Sequence, residues 1–185
     1  MDEVMAFLRE YIEKEYEAER ASFTERDEAK FTERLVALHP YYEGNLRTGL
    51  SRPIEFTDAE WERRRAKAGE VIPRNLFQVK RYRHPRFGDV YRAYVSFTKT
   101  YGAGTCNYSM FVREIDGALK VFALYHMCHT CYGTGSDDGD ACADCRGRGW
   151  TWATGHDFGG DFGSLVEVRK LQPPGPRCLP EYDAE

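Results

Sequence analysis

Four of the six cysteines fall in two copies of one short motif, Cys128-His129-Thr130-Cys131-Tyr132-Gly133-Thr134-Gly135 and Cys142-Ala143-Asp144-Cys145-Arg146-Gly147-Arg148-Gly149. A C-x2-C turn aims two thiolates at one point. Two such turns joined by ten residues supply the closed tetrahedral four-thiolate set that structural zinc prefers, so Cys128, Cys131, Cys142 and Cys145 are expected to bind one zinc ion. Gly133 and Gly147 sit two residues past the second cysteine of each pair. There the chain must turn sharply and direct backbone N–H groups at the sulfurs, which a residue without Cβ does at no steric cost. The competing chemistries are disulfides or a redox-active dithiol. Met1-Asp2-Glu3 opens an acidic helix with neither a basic leader nor an apolar signal segment, so a cytoplasmic, reducing setting is expected, and zinc with it. Cys106, in an expected strand, and Cys178, in a proline-rich tail, read as inert thiols.

Outside the motif, an enzyme would need a titratable pair within a pocket, and the residues of the right type are His39, His84, Tyr94, Glu114 and His126. Each has a structural alternative. His39-Pro40 reads as a helix stop, His84-Pro85 as a turn, Glu114 as a solvated carboxylate beside a hairpin tip, and His126 as a neighbour of the first thiolate. No catalytic residue is assigned. A closed four-cysteine site leaves no coordination position for chemistry, whereas Tyr132, Trp150 and Trp152 flank it and are residue types enriched at protein interfaces. These features favour a protein partner over a substrate.

Composition narrows the partners. A net charge of −4 and a pI near 5.8 argue against nucleic acid, and Asp137, Asp138, Asp140 and Asp144 keep the cysteine segment acidic. No apolar run approaches the roughly 20 residues needed to span a bilayer, so no membrane association is expected. At 185 residues the chain holds one domain, or one domain with a small appendage.

The elements that must carry the motif follow from periodicity. Val4, Leu8, Tyr11, Ile12 and Tyr16, with Phe7 beside them, form a helical stripe over 2–21, opposite Glu10, Glu13, Glu17 and Arg20. Ser22 and Glu25 fit a capping box for a second helix through about Leu38, with Phe31, Leu35 and Leu38 inward and Pro40 ending it. Thr57 and Glu60 fit the same signature for a helix over 58–68, stopped by Gly69, with Trp61 as its anchor and Glu62, Arg63, Arg64, Arg65 and Lys67 as a solvated face. From residue 74 the period becomes two. Strands are expected over Asn75–Tyr82, Val90–Thr100, Cys106–Ile115 and Ala118–Met127, the last two joined by Asp116-Gly117 in a type I′ turn. A two-residue turn would set Val112 opposite Val121, Phe111 opposite Phe122 and Met110 opposite Ala123, lining one face with Met110, Val112, Val121 and Tyr125. The chain then runs into Cys128, resumes at Trp150-Thr151-Trp152, crosses a Gly-rich loop at 155–163 and ends in a strand over Leu165–Leu171 before a Pro-rich, acidic tail at 173–185.

Two resemblances add to this reading. The doubled C-x-x-C-x-G-x-G unit, over about 22 residues, resembles the zinc modules of DnaJ co-chaperones, which implies a thiolate zinc site and, as one function, a chaperone adaptor. N-terminal helices followed by a meander of long strands, a late Asp-Gly hairpin and the strand Leu165-Val166-Glu167-Val168-Arg169-Lys170-Leu171 are similar to the nuclear transport factor 2-like superfamily. That likeness implies an α+β cone: N-terminal helices on a curved antiparallel sheet formed by 1–127 and 150–172, with 128–149 inserted as a zinc-binding module. The functions it implies are noncatalytic binding and homodimerisation, immunity proteins that neutralise a toxin domain, and SnoaL-like isomerases or hydratases with a small-molecule ligand in the pocket.

Overall fold

A computed structural model describes residues 2–44, 57–68, 74–97, 106–158 and 165–171. The expected stop at Gly69, the end of the second strand at Thr98–Thr100, most of the glycine-rich loop, Cys178 and the tail at 173–185 lie outside these residues, as does the Cys106 side chain.

The described chain is α+β. Helices α1 (Asp2–Thr24), α2 (Glu28–Val36) and α3 (Asp58–Ala68) precede strands β1 (Arg74–His84), β2 (Gly88–Phe97), β3 (Cys106–Ile115), β4 (Ala118–Met127), β5 (Ser136–Asp137), β6 (Asp140–Ala141), β7 (Trp150–Gly155) and β8 (Val166–Leu171). The six long strands form one antiparallel sheet in the order β7-β4-β3-β2-β1-β8, and β5 pairs with β6 alone. Every adjacent pair in the large sheet carries a register shift. Such irregularities bend the strands that contain them, which curves the sheet.

The first helix is longer than its apolar stripe suggests. Ser22 is buried inside it and its hydroxyl donates back to the Glu19 carbonyl at 2.6 Å, so Ser22 caps nothing. The cap of α2 is Asp27, whose carboxylate accepts from Ala29 N at 2.9 Å and Lys30 N at 3.2 Å. The helix stops at Val36, and Leu38 is buried just beyond it, where a 3-10 turn at His39–Tyr41 takes Pro40 into its first positions. The Thr57–Glu60 capping box forms as expected: Thr57 N donates to the Glu60 carboxylate at 2.8 Å and Glu60 N to the Thr57 hydroxyl at 3.4 Å. Trp61 anchors α3 on α1. Arg26 lies over its ring at 5.5 Å, and Arg64 turns back to donate to the Ser22 carbonyl.

One sheet face packs on α1. Val4, Leu8, Tyr11 and Ile12 meet Val79, Ala93, Val95, Tyr108, Met110, Val112 and Val121. Within this apolar layer sits a polar cluster: the Glu15 carboxylate accepts from the Tyr11 hydroxyl at 3.0 Å and the Tyr108 hydroxyl at 2.6 Å and forms an ion pair with Arg74, whose Nε lies 3.0 Å away, while Arg74 also reaches Glu19 at 2.6 Å. Burial, followed by the Glu15 charge, pushes the Tyr11 and Tyr108 hydroxyls well above the usual phenol range, so both remain donors at any working pH.

The opposite face is aromatic, with Phe111, Phe122, Tyr125 and Phe158 at its centre. Tyr125 belongs here and not with Met110 and Val112 as the simple hairpin register predicts. The Asp116-Gly117 turn has both residues at positive φ and Val112 does face Val121, but Phe111 then faces Ala123 and Met110 faces Leu124. Phe122 is an extra residue on β4, and beyond it every side chain changes face. Among the described residues no helix is long and apolar enough to cross a membrane.

Arg74 is 7% exposed and serves two carboxylates. Replacing it with Met strands both, and urea denaturation should show a loss of about 3–5 kcal/mol. A loss below about 1 kcal/mol would mean that Glu15 and Glu19 recover their hydration without it.

Candidate metal centre

The cysteine segment occupies the connection between two neighbouring antiparallel strands. β4 ends at Met127, opposite Trp150 at the start of β7, and the ladder continues one step into the segment through Cys128 N donating to the Gly149 carbonyl at 2.9 Å. The insertion therefore sits at the tip of a β4–β7 hairpin. Trp150–Gly155 is a full edge strand, whereas the sequence pattern marks only a Trp-Thr-Trp resumption; the last strand, β8, lies at the other edge against β1.

Within the segment the two repeats are related by a pseudo-twofold axis that superposes positions 14 apart. Cys142 N donates to the Gly135 carbonyl at 2.9 Å, the counterpart of the Cys128–Gly149 bond; Thr134 N donates to the Cys131 carbonyl at 3.0 Å and Arg148 N to that of Cys145 at 3.1 Å. Across the axis the Thr130 hydroxyl donates to the Asp144 carboxylate, joining the middles of the two C-x2-C turns. The N–H groups that point at sulfur come from Gly135 and Gly149, donating to Cys131 Sγ at 3.3 Å and Cys145 Sγ at 3.1 Å. All four glycines are at positive φ, and Gly133 and Gly147 continue the sharp turn begun by Tyr132 and Arg146, which are left-handed as well. The second glycine of each repeat also lets two backbones touch. A Cβ on Gly149 would lie 2.2 Å from the Gly133 carbonyl oxygen, and one on Gly135 2.3 Å from that of Gly147.

This interlock brings four buried sulfurs together, all within 4.8 Å of one another, with Cys128–Cys142 at 3.8 Å and Cys131–Cys145 at 3.6 Å. Four thiolates around a metal at about 2.3 Å would stand about 3.8 Å apart, the edge of the tetrahedron, so the donor set fits such an ion. Charge points the same way. Burial opposes ionisation of Cys131, but the Gly135 N–H and the neighbouring thiols outweigh it and lower the pKa to about 7. Cys142, although the Cys145 N–H favours its thiolate, is pushed up to about 11 by burial and by the other cysteine sulfurs. The cluster can hold some negative charge unaided; full ionisation needs a cation in its centre.

The five titratable candidates are not gathered. His39 is exposed on the 3-10 turn. His84 is buried, and its Nδ1 accepts from Arg86 N at 3.1 Å and Phe87 N at 3.3 Å, so it shapes the β1–β2 turn. Tyr94 lies under the Arg92 guanidinium, with Trp150 edge-on to its ring. Glu114 faces Leu119 next to the hairpin tip, while His126 faces Tyr108; six steps along β3 separate those rungs, roughly 20 Å. Trp150 packs into the aromatic face and seats the segment on the sheet, whereas Trp152 and Tyr132 are exposed. A small hairpin, β5–β6, turns at Asp138-Gly139, both at positive φ; the Asp-Gly pair is a sequence signal of that turn. No family model, curated protein or solved structure matches the chain.

The glycine interlock is testable by adding one methyl. Gly149→Ala and Gly135→Ala should each prevent stable metal loading, measured as metal per chain after gel filtration, because the new Cβ overlaps a backbone carbonyl that the axis holds in place. Gly139→Ala strains the β5–β6 turn at φ 92° but meets nothing within 4 Å and lies outside the interlock, so it should cost some stability and still load metal.

Proposed function

We propose that the chain is a non-catalytic protein-binding module whose four cysteines hold one structural zinc ion. The sulfur geometry carries the metal assignment: four buried thiol donors within 4.8 Å of one another, two of the pairs at tetrahedral edge length, suit a soft or borderline ion that closes at four ligands. Such a site contributes folding free energy, about 10–16 kcal/mol in small zinc modules, and leaves no position for substrate.

What that energy holds in place is a surface. Tyr132 is 68% exposed although its backbone is left-handed, with φ 49°. A non-glycine residue there costs about 1 kcal/mol, and an exposed ring returns little packing for it. Trp152 is also exposed, and Asp137, Asp138 and Asp140 stand exposed around the β5–β6 turn. Exposed aromatic rings beside carboxylates suit a protein partner with a basic face, met by electrostatic steering. A nuclear transport factor 2-like cone is the fold reading that goes with this function, supported by helices packed on one face of a curved antiparallel sheet. A toxin domain neutralised by an acidic immunity protein is the partner class we favour; a chaperone adaptor rests on the doubled motif alone. The small-molecule enzyme has one observation in its favour, an open cleft of about 440 Å³ on the aromatic face, but none of His39, His84, Tyr94, Glu114 and His126 lines it.

Metal analysis of the purified chain should find one zinc per chain, and Cys128→Ser or Cys142→Ser should remove it. Finding another metal in its place, or full zinc in either variant, overturns the assignment.

Tyr132→Gly separates structure from recognition. It should keep the zinc, leave the module slightly more stable to heat, and weaken capture of the copurifying partner. Charge reversal at Asp137 and Asp138 should slow association, with the effect shrinking as salt rises. Partner binding indifferent to both changes would move the working surface away from this module.

A further inference from the structure

The outer edge of β4 changes partner part-way along. β7 pairs with it from Met127 back to Ala123, opposite Gly155; His156 N then donates to the Phe122 carbonyl at 2.8 Å and the chain leaves for the aromatic face. One residue further, Glu43 N donates to the Val121 carbonyl at 2.9 Å and Tyr42 bridges to Val121. The exchange falls at the extra residue Phe122. Between the departing and arriving segments the cleft of about 440 Å³ opens, lined by the adjoining rings of Phe87 and Phe122, with Arg86, Arg113, Thr154 and His156 among its polar groups.

The cationic groups are held before any ligand arrives. The Arg113 guanidinium lies over Phe87 at 4.8 Å and over Phe122 at 5.1 Å, and its terminal nitrogen reaches the Glu43 carboxylate at 2.5 Å. Its Nε is buried and has no acceptor among the described residues. Arg86 lies over the same Phe87 ring at 5.1 Å, and among the described residues no carboxylate pairs with it. Two guanidiniums stacked on one ring thus share a single acid, in a chain of net charge −4. Stacking orders both side chains and removes part of the entropy that anion binding would otherwise cost.

We infer that this cleft binds a small planar organic carboxylate, with the carboxylate group on Arg86 and the Arg113 edge and its flat body laid against the adjoining Phe87 and Phe122 rings, whose centroids are 5.6 Å apart. Two guanidiniums against one glutamate leave one positive charge in excess, which a monoanion neutralises; a dianion such as phosphate would leave a negative charge facing Glu43. Guanidinium forks match carboxylate geometry, and the aromatic rings reward an unsaturated body over acetate. This site is independent of the cysteine cluster and of the partner surface proposed for it.

The probe is benzoate, titrated into the metal-containing full chain and followed by amide chemical shifts. Saturable shifts at Phe87, Gly155 and His156 are expected, with benzamide, the uncharged isostere, weaker by about tenfold or more, as for loss of one charge-assisted hydrogen bond. Arg86→Gln should weaken benzoate by a similar factor without unfolding, since Arg86 is exposed, while Arg9→Gln on α1, a charge control, should leave it unchanged. Non-saturating shifts, equal response to benzamide, indifference to Arg86→Gln, or tighter binding of inorganic phosphate would each overturn the assignment.

Discussion

Four sulfur atoms packed within 4.8 Å of one another in a buried cluster can all be ionised together only around a cation. The cluster is also the only core its segment has. Cys128, Cys131, Cys142 and Cys145 form a buried group with no aliphatic side chain among them, and the rest of 128–149 is mainly glycine and polar residues. A metal held there would replace hydrophobic burial in a stretch too short to build an apolar interior. β7 inherits the result: its first residue pairs with Met127 where the cysteine segment ends, so the edge strand of the main sheet takes its register from the closed hairpin tip.

The sheet that carries this tip is asymmetric in its chemistry. On the helical face, an otherwise apolar layer is keyed by the Glu15–Arg74–Glu19 cluster, which ties α1 to the start of β1. Buried ion pairs rarely add net stability, but a helix that slides or rotates out of this contact leaves charges without partners, so the pair selects one docking of α1. On the other face the chain uses rings and guanidiniums together: Arg92 lies between Tyr94, Phe111 and Trp150, and Arg113 between Phe87 and Phe122. Stacked rings thus hold guanidiniums within an aromatic layer, where the polarity of the ring faces favours a cation.

Local and periodic features were legible in the residues. The stripe of α1, the Thr57–Glu60 box, the Asp116-Gly117 turn and the gathering of the four cysteines follow from interactions between residues close in sequence or repeated at fixed spacing. What escaped was set by distant contacts or by competition. Ser22 looked like a cap because its type and its spacing to Glu25 are right, but Asp27 offers an ionised acceptor five residues later and α1 continues through the serine. The bulge at Phe122 could not be inferred, since every β4 residue has strand character and only the packing of Phe122, Ala123 and Tyr125 onto one face selects the extra residue. The Arg74 cluster joins residues about sixty apart, and nothing local announces it. In the cysteine segment the clustering of the four thiols was readable, whereas the roles of the two glycines in each repeat were partly exchanged, because the close approach of Gly149 to Gly133 exists only once both repeats are folded together.

The pseudo-twofold axis separates what geometry demands from what it leaves free. Positions identical in both repeats are the cysteines that cluster and the glycines that turn or interlock. Of the positions that differ, Thr130 and Asp144 bond to each other, and Thr134 and Arg148 each donate through a side chain to the carbonyl of the preceding cysteine. Different residues there do one structural job. Tyr132 and Arg146 are another matter: they occupy equivalent left-handed positions at the outer turn of each knuckle, both are exposed, and glycine would satisfy the backbone better at either. An aromatic ring at one knuckle and a guanidinium at the other are held by the same rigid core at the same strained conformation. The symmetry that builds the cluster is thus broken at its rim, and it is there that residue identity is decided by something outside the fold.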